Sequence, residues 1–285
     1  MDGILYINKP VGWTSFDVVA KVRGMLTDNL RRHHEKRGFC IESQGAKRAS
    51  SAESRTPEYG ERATEPSDKV MASKAGQSDG SAGTWHCRCK VRVGHSGTLD
   101  PFATGLLVLL IGKYTKHSEQ FLKLDKTYSA TLILGKTSTT ADPEGEITSV
   151  SDKQPTQEEV VSVLNKFIGQ ISQTPPIFSA IKIDGQRAYK LARAGKKPKI
   201  EPRQVTIYDI KLIDYTYPEL KIETKVSSGT YIRSLAVDIG ESLGVGAYLN
   251  ELRRTKIAQF NLDIAIEPEE VTTEALLDNL QQIVL

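Results

Sequence analysis

Gly94-His95-Ser96-Gly97-Thr98-Leu99-Asp100-Pro101-Phe102-Ala103-Thr104-Gly105, followed by Leu106-Leu107-Val108-Leu109-Leu110-Ile111, is the stretch on which the reading of this chain turns. Three glycines and a proline surround a single carboxylate, with His95 five residues before it and an apolar run after it. Glycine-rich backbone lets a substrate approach closely, and a loop braced by an apolar element holds its side chain in one pose. An aspartate held in this way can serve as nucleophile, general base or metal ligand. An Asp-Pro pair by itself is more often just the start of a turn. The run Leu106–Ile111 suits a buried strand or a buried helix, and its length and flanking glycines do not choose between them.

On the N-terminal side, Gly3–Lys9 reads as a strand that breaks at Pro10-Val11-Gly12. Thr14 or Ser15 can cap a helix whose apolar face includes Phe16, Val19, Ala20, Val22 and Met25. After Leu26 the character changes. Residues 41–84 are rich in Ser, Ala, Gly, Glu and Lys and show neither helical nor strand periodicity, so 28–90 reads as a low-complexity insertion, disordered through its middle. On the C-terminal side the pattern gives strands at Tyr128–Leu134, Arg203–Ile213 and Leu220–Val226. It gives helices near Glu158–Ile168, Ala188–Ala194 and Tyr231–Leu243, the last closed by Gly244. Strands and helices mix without strict alternation, which favours an α+β fold. The expected organisation is a catalytic domain from 1–27 and 91–265, split by the insertion. A short tail over 266–285, with a possible helix at Thr273–Leu280, is too small for a full accessory RNA-binding domain.

Composition narrows the class of protein. The 285 residues, 39% hydrophobic and 26% charged, can bury a full core. No apolar run approaches the ~20 residues that span a bilayer. The start lacks the basic segment of a secretory signal, and three cysteines make no disulfide framework, so a cytoplasmic protein is expected. Residues 27–90 hold twelve Lys/Arg against nine Asp/Glu, which accounts for the whole net charge of +3. A nucleic-acid partner must therefore rest on local patches. His33, His34 and Cys40 near one end of the insertion, with His86, Cys87 and Cys89 near the other, could meet around zinc. Cys-x-Cys is a poor match to the usual knuckle spacing, however, and no metal is expected.

Four further segments carry chemistry-bearing residues. They are Asp125-Lys126-Thr127-Tyr128; Gln173-Thr174-Pro175-Pro176-Ile177-Phe178-Ser179-Ala180-Ile181-Lys182, continuing to Gly185 and Tyr189; Ser228-Gly229-Thr230-Tyr231-Ile232-Arg233-Ser234-Leu235; and Leu252-Arg253-Arg254-Thr255. Together with the Asp100 loop, Gly3-Ile4-Leu5, Lys9-Pro10 and Gly12, they resemble the TruB family of tRNA pseudouridine synthases, in the same order over 1–26 and about 91–265. The insertion departs from that family's pattern, which has a short connection there.

The resemblance implies a pseudouridine synthase fold, with a central, largely antiparallel sheet flanked by helices. It also implies isomerisation of a uridine in the tRNA T-loop, at position 55, with no cofactor. Asp100 falls on the catalytic aspartate and Arg233 on the arginine paired with it. Tyr128 falls on the tyrosine that stacks on the target base, while Tyr231 and Leu252 fall on pocket residues. His95 falls on a histidine that fills the space the flipped base leaves. Lys9, Pro10 and Gly12 read as turn formers rather than catalytic residues. Between Lys182 and Arg203 the chain carries Lys182, Arg187, Lys190, Arg193, Lys196, Lys197, Lys199 and Arg203 against only Asp184 and Glu201. Such a stretch suits the phosphates of the T-arm. The implied partner is tRNA alone, with a monomeric enzyme and no obligate protein partner. Two other readings fit parts of the pattern: a tRNA-binding or folding protein with secondary catalysis, and a guide-RNA-dependent rRNA modifier of the dyskerin type.

Overall fold

The computed structural model describes residues 1–36, 90–179, 181–183, 185–195, 200–268 and 271–280. β1 (Gly3–Lys9) leads through a tight turn into α1 (Ser15–Lys36). Thr14 is the residue that caps this helix: its Oγ1 accepts from the Asp17 N–H, and Asp17 Oδ2 accepts from the Thr14 N–H and hydroxyl. The buried side of α1 is Val18, Val19, Val22 and Leu26, whereas Phe16 points into solvent, against the expectation for the apolar face. The helix also runs past Leu26 into the stretch read as insertion. Residues 26–36 contain neither Gly nor Pro and include Leu, Arg, Glu and Lys, which sustain helix without a buried stripe.

The remaining elements follow in chain order. β2 (Val93–His95), β3 (Thr104–Ile111), α2 (Ser118–Lys123) and β4 (Lys126–Leu134) precede a small hairpin of β5 (Lys136–Ser138) and β6 (Ile147–Ser149). Then come α3 (Gln157–Lys166), β7 (Gly169–Gln173), a second hairpin of β8 (Lys182–Ile183) and β9 (Gln186–Arg187), and α4 (Ala188–Arg193). β10 (Arg203–Thr216), β11 (Glu219–Val226), α5 (Ile232–Ser242), β12 (Ala247–Ile257), β13 (Phe260–Asn261) and α6 (Thr273–Asp278) complete the described chain. The ambiguous run Leu106–Ile111 is thus a strand, fully buried on both faces.

The main sheet has the order β1-β3-β12-β4-β11-β10-β7, with β2 added beside β3 and β13 beside β12. Its pairings are antiparallel except β3 with β12, where Arg253 faces Thr104 and Arg254 faces Gly105. That one parallel contact places the end of the Asp100 loop against β12. One face of the sheet packs on α3 and α5: Tyr128, Ala130, Leu132 and Leu134 of β4 join Leu235 and Ile239 of α5 and Val160 and Leu164 of α3. A second cluster, with Tyr6, Val108, Phe121 and Phe260, packs against α2. The chain forms two compact units, 1–28 with 90–285, and 29–89. The site lies wholly in the first, and most of the second falls outside the described residues.

Candidate active site

The Asp100 loop is bolted down by residues remote in sequence. Ser15 Oγ accepts the Leu99 N–H at 2.8 Å and donates back to the Leu99 carbonyl at 3.3 Å. The Gly12 N–H donates to Pro101 O at 2.9 Å. Lys9, fully buried, donates from Nζ to the carbonyls of Pro10, Trp13 and Pro101. Burial pushes its ammonium down to about 8, against the favourable field of Asp100. From the other side, the buried Arg254 donates from Nε to Leu106 O at 2.8 Å and from Nη2 to Gly97 O at 3.1 Å. Gly105 makes that approach possible. At φ +99° it adopts a conformation closed to most side chains, and a Cβ there would sit 2.3 Å from the Arg254 carbonyl oxygen. Lys9, read from sequence as a turn former, therefore also braces the loop, and Arg254 is a positioning residue that sequence reasoning left unassigned.

Asp100 faces Arg233 of α5. Arg233 Nη2 donates to Asp100 Oδ1 at 3.4 Å, and its Nε lies 3.0 Å from Oδ2 as a charge contact without an aligned hydrogen bond. Arg233 is buried, while Asp100 keeps 35% of its side-chain surface open. The same guanidinium donates from Nη1 to Asp142 Oδ2 at 3.1 Å and to Thr140 O at 3.2 Å, and from Nη2 to Phe178 O at 2.9 Å. One buried cation thus bridges two carboxylates. Burial is the largest influence on Asp100 and raises its pKa. Arg233 opposes that shift, Asp142 adds to it by like-charge repulsion, and the Arg233 hydrogen bond and Lys9 oppose it further.

Asp142 was not singled out in the sequence, because the turn-rich Thr137–Gly145 offers no signal marking one acid among several. Its pose is locally specified. Thr140 Oγ1 donates to Asp142 Oδ1, the Glu144 N–H donates to the same oxygen, and Ala141 before it adopts φ +61°. For a non-glycine residue that conformation costs about 1–2 kcal/mol. The Leu249 N–H holds it in place by donating to Ala141 O.

Tyr231 precedes the first residue of α5, and no side chain at that position caps the helix. Gln173, fully buried at the end of β7, grips it instead. Its Oε1 accepts the Tyr231 N–H at 2.8 Å, and its Nε2 donates to Tyr231 O at 3.1 Å. Ser234 Oγ donates to Thr174 O at 2.8 Å. The guanidinium of Arg203 lies 4.9 Å from the Tyr231 ring centroid and donates to Gly229 O. Gln173, like Arg254 and Asp142, is a residue whose contacts only the structure reveals.

Tyr128 lies on β4 opposite Arg254 of β12 and Thr224 of β11; Leu252 lies two residues along β12, opposite Ala130. Both side chains are buried in the cluster that includes Leu99, Ala103 and Ile232, the neighbours of Asp100 and Arg233. His95 ends β2 and accepts the Gly97 N–H on Nδ1 at 3.2 Å, which leaves Nε2 as its protonated nitrogen. Burial and the nearby Arg254 both lower its pKa. Of the residues singled out from the sequence, the fold thus brings Asp100 to Arg233 and places Tyr128 and Leu252 in the cluster formed with their chain neighbours.

Of the basic stretch, Lys182 stands on β8, Arg187 on β9, and Lys190 and Arg193 on α4; Arg187 and Lys190 are exposed. Lys196 and Lys197, and the side chains of Lys182 and Arg193, lie outside the described residues. So do Cys40, His86, Cys87, Cys89 and the side chain of His34, named as possible zinc ligands; His33 is an exposed residue of α1.

The architecture matches solved structures. The chain superposes over 98% of its length on 57% of a chain in a Cbf5–Nop10–Gar1 complex, with TM-score 0.59 and 23% identity. It superposes similarly on a chain of an H/ACA RNP bound to a substrate RNA containing 2′-deoxyuridine, with TM-score 0.56 and 20% identity. At that identity the likeness establishes the fold, which is the pseudouridine synthase fold.

Sequence comparison goes further. Residues 85–232 match the profile described as TruB family pseudouridylate synthase (N terminal domain), and residues 233–284 match that of the tRNA pseudouridylate synthase B C-terminal domain. The tRNA pseudouridine synthase B of Parabacteroides distasonis is 37% identical over 269 residues, 94% of this chain and 91% of that protein. That of Aquifex aeolicus is 45% identical over 181 residues, 63% of each chain. The chain belongs to the TruB family of pseudouridylate synthases.

Proposed function

We propose that this protein isomerises uridine to pseudouridine in the T-loop of tRNA, at position 55, with Asp100 as the catalytic carboxylate acting on a flipped-out base. The observation that carries this reading is the half-open Asp100 carboxylate, held by the buried Arg233 at the edge of a cluster containing Tyr128 and Leu252. The isomerisation breaks the bond from ribose C1′ to N1 and forms one from C1′ to C5. N1 gains a proton and C5 loses one, so atoms and electrons balance within one nucleotide.

Each part of the site has a task in that sequence. A uridine inside a folded loop must leave its stack, and an aromatic face offsets part of the cost, by ~1–3 kcal/mol per base. Tyr128 supplies that face, with Leu252 and Tyr231 closing the pocket. His95, neutral and with its ring fixed by the Gly97 N–H, fills the gap left in the RNA. Arg233 holds the Asp100 carboxylate in orientation and offsets the cost of ionising it in a partly buried site. Lys182, Arg187, Lys190, Arg193, Lys196 and Lys197 contact T-arm phosphates. The enzyme acts as a monomer in the cytoplasm, on tRNA without a guide RNA. Among the described residues, no helix is long and apolar enough to cross a membrane.

The test is to incubate purified protein with an unmodified tRNA transcript, with no other protein or RNA, and map pseudouridine by mass spectrometry. Conversion at the T-loop uridine is expected. Its absence on bare transcript, with conversion of a different RNA only when a guide RNA and protein partners are added, would point to the dyskerin-type reading. Full biological function in Asp100→Ala would point to the RNA-binding one.

A further inference from the structure

We propose that the turn Val11–Phe16 and the first turns of α1 form a second contact surface for the RNA, on which Phe16 and Trp13 take nucleobases while Lys21 and Arg23 meet phosphates. The proposal rests on the RNA-modifying reading above and adds a surface to it.

Four observations converge on this turn. Val11 and Phe16 are 65% and 63% exposed, although the buried side of α1 is already complete without them. Large apolar groups in solvent beside a site have a cost that a ligand can offset. Cations accompany the aromatic rings: Lys21 Nζ lies 5.3 Å from the Trp13 ring centroid, and the Arg23 guanidinium lies 5.8 Å from that of Phe16. The one acid within the turn and the first helical turn, Asp17, is engaged by the Thr14 cap. Finally, the turn is rigidly joined to the Asp100 loop through Ser15 to Leu99, Gly12 to Pro101 and Lys9 to Pro101.

Aromatic faces interleaved with cations are the elements of sequence-tolerant single-strand recognition, in which bases stack and phosphates meet charge. A protein partner would gain less here, because an apolar patch bordered by Lys21 and Arg23, its one acid Asp17 already engaged by the Thr14 cap, favours a polyanion. An RNA whose uridine reaches Asp100 passes the turn fixed to that loop, so the surface reads the nucleotides next to the flipped one. Their unstacked bases are the ones free to stack on Phe16 and Trp13.

The chain has two tryptophans, Trp13 and Trp85, so Trp85→Phe leaves Trp13 as the only indole. In that background, titration with unmodified tRNA is expected to quench Trp13 fluorescence along the same curve as direct binding. Phe16→Ala is expected to raise Kd and KM about ten-fold, the loss falling on KM rather than kcat, with Phe16→Tyr restoring affinity and Phe16→Leu not. Lys21→Gln and Arg23→Gln are each expected to lower the slope of log K against log salt by about one. Phe16 is exposed, so an unchanged unfolding midpoint will show that lost affinity is not lost fold. Unquenched Trp13, with tRNA affinity unaltered by Phe16→Ala in an enzyme that still converts its transcript, would overturn the proposal and leave the surface to a protein partner. Failure of the wild type to bind or convert tRNA would instead overturn the RNA-modifying reading itself.

Discussion

Asp100 carries an ionisable group in a place that resists its ionisation. In the proposed isomerisation, replacing it by Asn removes the reacting group while keeping its shape, so turnover is expected to fall at least about 10²–10⁴-fold with tRNA affinity retained; single-turnover kinetics and filter binding separate the two. Because its pKa is raised in the folded protein, the folded state holds that proton more tightly than the unfolded chain. Its contribution to stability is therefore greatest at low pH and is lost as pH rises from the ordinary carboxylate value through the raised one. Thermal unfolding of wild type and Asp100→Asn should show the variant gaining relative stability across that window. For Asp142→Asn the signs divide. Losing the like charge lets Asp100 ionise at lower pH, moving the acid limb of kcat/KM downward. Freeing Arg233 from one of its anchors lowers kcat. An acid limb that stays in place or moves upward would contradict the bridged arrangement.

At the scale of elements, α5 and β7 decide where the arginine stands. Gln173 makes the only side-chain contacts among those described that satisfy both backbone groups of Tyr231, and it does so at the uncapped start of the helix carrying Arg233. Gln173→Leu keeps the volume and removes both hydrogen bonds. The Tyr231 N–H loses its acceptor, while the carbonyl keeps the Leu235 N–H, and that should cost about 1–3 kcal/mol, read as a lower unfolding midpoint. A fall in kcat exceeding any change in KM is expected as Arg233 loses its registration with Asp100. Sequence patterning located β4, β10, β11 and α5 well, since burial and period make them legible, but left β3 undecided between strand and helix because a run apolar on every side carries no period. It misjudged Phe16 because periodicity alone does not say which side of a short turn meets the core. It ended α1 too early because composition, rather than helix-forming capacity, marked the boundary.

For the molecule as a whole, Arg187 and Lys190 stand exposed on β9 and α4, while Arg233 of the site is buried. Affinity for tRNA is expected to fall steeply and linearly in log salt, and charge-neutralising Arg187 and Lys190 together should lower that slope by about two. A slope unchanged in the double variant would remove this region from the RNA interface. The bracing of the Asp100 loop is also a property of the whole: β1, the turn after it, β3 and β12 all contribute, and none is its sequence neighbour except β3.

The sequence by itself determined the family and singled out the candidate set. Asp100, Tyr128, Arg233 and Leu252 stand in recognisable local contexts, and glycine, proline and apolar period declare loops, strands and helix ends. Tertiary structure alone decided what makes that set a site. Asp142, Gln173, Lys9 and Arg254 act through contacts spanning about sixty to one hundred and sixty residues of chain. A buried charge or amide gains its role from the carbonyls and carboxylates that the fold brings to it, and local sequence does not encode those partners. The loop read at the outset as braced by the apolar element after it is held as well by Ser15, Lys9 and Arg254, and Gly105 supplies the room for Arg254 to approach.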